Sequence, residues 1–218
     1  MFAKEQERPA DDNDRCNPVA KNIEREEAHR LFVSLSVGEK AKAQIATLQN
    51  DINVLNPAEN IRWQEQSHIH ITIQFLGNVK VSTIPLVQWK LDQLADSFLE
   101  FHLDLGELKH FPSKESADVM WLELHESQNT LIDLMQQSEF VLHDFADHLP
   151  DKSPIPHITI GRRKQSELPL NLPAFPLPSS MWTARTLNLN RSVIRAGKLD
   201  HRIIHQAPFA MGNSTKNP

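Results

Sequence analysis

The chain has a single cysteine, Cys16, among 218 residues, and no tyrosine at all. One thiol rules out an intramolecular disulfide and any cysteine-built metal cluster. No run of about 18 apolar residues occurs, so no membrane-spanning helix is expected, and the N-terminus lacks the apolar core of a signal peptide. Positive charge is not in excess either: 23 Lys and Arg against 28 Asp and Glu leave a net charge of -5. Long-range capture of duplex DNA needs a basic face, and this balance argues against it. A substrate held at one phosphate, near an end, remains compatible. The expectation is a cytoplasmic protein with no membrane partner, acting as a monomer. At 24.9 kDa the chain is long enough for one large domain or two small lobes with a real core.

What the chain does have is a repeated pattern. His70-Ile71-Thr72-Ile73 returns unchanged as His157-Ile158-Thr159-Ile160. Apolar and polar residues alternate through both copies, the period of a half-buried strand. Residues two apart on a strand share a face. His70 and Thr72 therefore point one way while Ile71 and Ile73 enter a core, and His157 and Thr159 repeat the arrangement. In random order this composition gives roughly 0.4 His-x-Thr triplets, so one copy is a weak motif. Two copies sharing both isoleucines carry much more weight than a pair of core strands with incidental polar residues.

Residues 1–29 are charged, without a sustained apolar period, and read as a disordered extension. Residues 30–208 read as a single bilobal domain, followed by a flexible tail over 209–218. An alternating strand at 31–37 ends at Gly38, and Ile45, Leu48 and Ile52 mark a helix over about 39–51. A short strand is expected at 61–63, and Gly77-Asn78 should stop the first motif strand. Pro85 suits the first turn of a helix running to about 97. Strands at 101–108 and 119–124 flank a polar loop. Ser127 is placed to cap a helix whose buried face carries Leu131, Leu134, Met135, Leu142 and Phe145. Pro150, Pro154 and Pro156 hold the approach to the second motif extended, and residues 168–178 read as a proline-rich surface connection. The chain closes with a hairpin, 186–194 and 202–206, turning at Ala196-Gly197. Two strand–helix–strand units give an α+β fold of two lobes, with the His-x-Thr strands facing each other across a groove.

Two imidazoles with pKa values near ~6.5 can be one neutral and one protonated at neutral pH. One would take a proton from attacking water and the other would protonate a departing alkoxide. The threonine hydroxyls would donate to phosphate oxygens. A strained 2′,3′-cyclic phosphate fits such a pair without a metal. The competing reading makes His68-x-His70 two ligands of a transition metal, but neither motif strand holds an acidic residue. Arg162, five positions after His157, would face away under strict alternation unless Gly161 permits a bulge; there it could grip a phosphate.

These residues resemble the two-histidine phosphoesterases, and within them the RNA 2′,3′-cyclic phosphodiesterase (2′-5′ RNA ligase) family. The likeness rests on Arg30-Leu31-Phe32-Val33-Ser34-Leu35, His70 through Gly77, the strand of Trp121, Leu142-His143-Asp144-Phe145-Ala146, Pro156 through Arg162, and Leu187-x-Leu189-x-x-Ser192. It implies two antiparallel sheets facing a central groove, with helices packed outside. It implies hydrolysis of RNA 3′ ends or nucleotides bearing a 2′,3′-cyclic phosphate to 2′-phosphomonoesters, with no metal or other cofactor. His70 becomes the general acid and His157 the general base, while Thr72, Thr159 and Arg162 hold the phosphate. Two alternatives stay open: reversible 2′-5′ joining of RNA ends, and a non-catalytic RNA- or nucleotide-binding module. The chain departs from the family at His201, where a tyrosine is usual.

Overall fold

The computed structural model describes residues 26–112, 117–147, 154–164, 170–173, 177–195 and 197–212. Among them are nine strands: β1 Ala28–Ser36, β2 Ile61–Trp63, β3 His70–Lys80, β4 Phe101–Pro112, β5 Ala117–His125, β6 His157–Lys164, β7 Trp182–Ala184, β8 Thr186–Arg195 and β9 Lys198–Pro208. Three α-helices accompany them: α1 Glu39–Leu55, α2 Ile84–Asp96 and α3 Thr130–Leu142. One sheet has the order β3-β1-β8-β9 and the other β2-β6-β5-β4-β7, with antiparallel pairing throughout both.

Alternation along the strands decides what each sheet buries. Leu31, Val33, Leu35, Ile71, Ile73, Leu187 and Leu189 are buried on one face of the first sheet, packed with the apolar stripes of α2 and α3. Ile158, Ile160, Met120 and Leu122 do the same for the second sheet. The opposite faces, carrying both His-x-Thr pairs, turn toward each other. Removing these leucines and isoleucines from water is the main force closing the two lobes.

Several boundaries differ from the sequence reading for local reasons. β1 begins at Ala28, because Ala28 and His29 pair with Lys80 and Val79. The rest of the expected charged extension, up to residue 25, lies outside the described residues. Gly77 does not stop β3. It adopts φ +73° and the ladder resumes to Lys80, while the Asp147 carboxylate accepts the Asn78 backbone N–H at 2.7 Å. A β-carbon at Gly77 would collide with that carboxylate. Ser127 does not cap α3. The cap residue is Asn129, at φ 56°, and the Glu126 carboxylate accepts the Leu131 N–H at 2.9 Å. Order also runs past 208: Phe209 is buried, and Ala210 N–H donates to the Phe98 carbonyl at 2.9 Å. The expected flexible tail therefore starts too early; residues from 213 onward lie outside the described residues, as do 113–116 and parts of the proline-rich connection.

Candidate functional site: a groove with two matched histidines

Between the sheets lies a groove of about 740 Å³ lined by His70, Thr72, His157, Thr159 and Arg162, so all five candidate residues meet there. The two histidines are held alike. His70 Nδ1–H donates to the carbonyl of His68 at 2.7 Å, and His157 Nδ1–H donates to the carbonyl of Ile155 at 2.7 Å. In each case the acceptor lies two residues upstream, in the extended or turning backbone that leads into the strand. Fixing the proton on Nδ1 leaves Nε2 as the nitrogen with a free lone pair in the neutral ring. At His70 that nitrogen sits in the groove, where it accepts from the Thr72 hydroxyl at 3.1 Å. Strand spacing alone delivers the hydroxyl to its neighbouring imidazole.

Arg162 reaches the groove because β6 bulges. Met120 pairs with Gly161 but Trp121 pairs with Thr159, which leaves Ile160 as the extra residue. Thr159 and Arg162 then share a face, and Arg163 turns inward to an ion pair with Glu59 at 3.3 Å. Gly161 allows this because a β-carbon there would approach the Trp63 ring to 2.8 Å. β3 carries the same irregularity: Val33 pairs with Gln74 and Ser34 with Thr72, leaving Ile73 extra. Phe75 therefore occupies, five residues after His70, the place that Arg162 occupies after His157. It is 65% exposed and lines the groove. Sequence reading missed Phe75; the signal was its matched spacing in the two copies.

His201, which the sequence only flagged as a departure, is part of this site. Its ring lies 4.9 Å from Phe32, 5.2 Å from His68 and 5.7 Å from His70. Burial, then the proximity of His70 and His68, pushes its pKa down to about 4. Burial also lowers the pKa of His70, against the favourable bond to the His68 carbonyl. His68 itself is not on the motif strand. It ends a 3₁₀ turn, Gln66–His68, and its Nε2 meets Asp200 at 3.4 Å, so the expected shared face with His70 does not exist. Among the described residues no three His, Cys, Asp or Glu side chains converge as metal ligands.

The groove's charge runs against the chain's net charge. Arg30, Arg62, Arg162 and Lys198 line it, with Glu65 as the lining carboxylate. An anion is therefore attracted locally even though the whole molecule is acidic. No helix among the described residues is long and apolar enough to cross a membrane.

Two strands thus each present a His-x-Thr pair to one groove, in two antiparallel sheets backed by helices. The chain matches, over residues 35–121, the family model described as LigT like Phosphoesterase. It is 25% identical over 135 residues to the RNA 2′,3′-cyclic phosphodiesterase of Methanocaldococcus jannaschii, covering 62% of this chain and 72% of that protein. It is 27% identical over 137 residues to the RNA 2′,3′-cyclic phosphodiesterase of Thermotoga maritima, covering 62% and 70%. Its fold is shared with E. coli LigT complexed with 3′-AMP, at a TM-score of 0.64 and 20% identity, over 84% of this chain and 98% of that one.

Proposed function

We propose that this protein hydrolyses RNA-terminal 2′,3′-cyclic phosphates to 2′-phosphomonoesters without a metal ion. The observation that carries the reading is the pair of imidazoles held in one tautomer by upstream carbonyls at 2.7 Å, in a single cation-lined groove. The names of the relatives and the nucleotide complex of E. coli LigT support the same substrate class.

In this mechanism the cyclic phosphate sits between the rings, with Thr72, Thr159 and Arg162 donating to its non-bridging oxygens. His157 Nε2 takes a proton from water as the water oxygen bonds to phosphorus. The P–O3′ bond breaks in line, and His70 Nε2–H gives its proton to O3′. A 3′-hydroxyl and a 2′-phosphomonoester result, with the proton now on His157. Solvent exchange restores the starting state. Burial lowers the proton affinity of His70 in the free enzyme; an arriving phosphate anion raises it again by direct attraction. Phe75 offers the neighbouring base an exposed aromatic face.

The test is hydrolysis of a 2′,3′-cyclic nucleotide with the product identified by ³¹P NMR. His70→Ala and His157→Ala should each lose about 10²–10⁴-fold in kcat while circular dichroism stays unchanged. EDTA should leave the wild-type rate unaltered. Full activity in either variant, a 3′-phosphate product, or EDTA inhibition reversed by a divalent ion would contradict the reading.

A further inference from the structure

The bulge that turns Arg162 into the groove and the carbonyl that orients His70 belong to different halves of the chain, yet one buried side chain ties them together. Gln49, on α1 and only 9% exposed, donates through Nε2 to the carbonyl of Ile160 at 2.9 Å and to that of Gln64 at 2.9 Å. Both hydrogens of its amide are thereby used. Ile160 is the extra residue of the β6 bulge. A bulge disrupts the ladder locally, and a buried carbonyl there needs donors from elsewhere. Gln49 supplies one, and the Gln64 backbone N–H supplies a second at 2.9 Å.

From Gln64 the connection continues to the first motif. Its Nε2 donates to the His68 carbonyl at 3.1 Å, the same oxygen that receives His70 Nδ1–H. The neighbouring Gln66 Nε2 returns to Gln49 Oε1 at 3.4 Å. The loop from β2 to β3 is thus pinned to the bulge of β6 by glutamine amides. We propose that Gln49 and Gln64 form a positioning pair that sets the bulge carrying Arg162 and the tautomer of His70 in common register. The inference rests on the function proposed above, because it gives these two groups their roles.

The physical consequence is specific. Removing the Gln64 amide frees the His68 carbonyl to shift, and the His70 ring loses its fixed acceptor. Removing the Gln49 amide leaves two carbonyls short of a donor and loosens both halves together. Misplacing a reacting group by about 1 Å can cost on the order of 10²-fold in rate, so a loss of roughly tenfold or more in kcat is expected.

Gln64→Met and Gln49→Met keep side-chain length and remove the donors. Histidine-selective ¹⁵N NMR reads the His70 tautomer with no substrate present, and steady-state kinetics on a 2′,3′-cyclic nucleotide read kcat and KM separately. In the wild type, neutral His70 should carry its proton on Nδ1. Gln64→Met should mix in the Nε2–H tautomer and lower kcat with little change in KM. Gln49→Met should do both and also raise KM, through Arg162. Wild-type tautomer, kcat and KM in Gln64→Met would overturn the inference, however Gln49→Met behaves and however far either melting temperature falls. That result would leave the proposed function standing, since His70→Ala tests it independently.

Discussion

At the scale of the residue, His201 shows how a neighbourhood sets a titration. Half-buried beside His70 and His68, it holds a pKa of about 4 in the folded chain, against roughly 6.5 for an unperturbed histidine. The unfolded chain therefore binds a proton that the folded chain refuses as pH falls from about 6.5 toward 4. The stabilising contribution is complete above that window and lost on descending through it. Melting temperature should thus fall over this range, and His201→Phe should fall less steeply; parallel curves for the two proteins would contradict the assignment. His70 shifts in the same direction, so some slope remains in the variant. The residue scale is also where sequence reading was strongest. His70, Thr72, His157 and Thr159 were legible because alternation on a strand is a local property. Gln49 and Gln64 were not, because a glutamine on a helix or loop looks the same whether it faces water or a buried carbonyl.

At the scale of the element, the two motif strands owe their use to being irregular. A regular strand would aim Phe75 and Arg162 away from the histidines; one extra residue in each, Ile73 and Ile160, returns them to the groove. Gly161 makes the second bulge possible by leaving room for Trp63. Gly161→Val should therefore cost about 1–3 kcal/mol of stability and raise KM for a cyclic nucleotide more than it lowers kcat. Thermal melts and Michaelis curves on the same preparation check both halves; an unchanged KM would detach Arg162 from phosphate binding. The Gly161 bulge was open to sequence reasoning because glycine beside an arginine out of phase is a visible clue. The continuation of β3 beyond Gly77 was not, because it depends on Asp147 arriving from 69 residues away. His68 was misplaced for a related reason: spacing alone cannot tell a strand from the 3₁₀ turn that precedes it.

At the scale of the whole molecule, two similar lobes line one groove, each contributing one of its His-x-Thr pairs. The lobes close because their inner faces are polar while their outer faces are apolar, so helices cover the outside and the groove stays open. The overall charge of -5 said little about this groove, whose lining reverses the sign locally. The bilobal architecture was readable from the repeated strand–helix–strand order, whereas the sheet orders and the docking of Phe209 and Ala210 required long-range pairing. One measurement tests the shared site most directly: titration of the ¹⁵N-histidine-labelled protein with a nucleoside 2′-phosphate, following both Nε2 resonances. His70 and His157 should shift together, saturating at one equivalent with a single Kd. Movement of one ring alone, or two rings saturating at different concentrations, would contradict a site built from both halves around one phosphate.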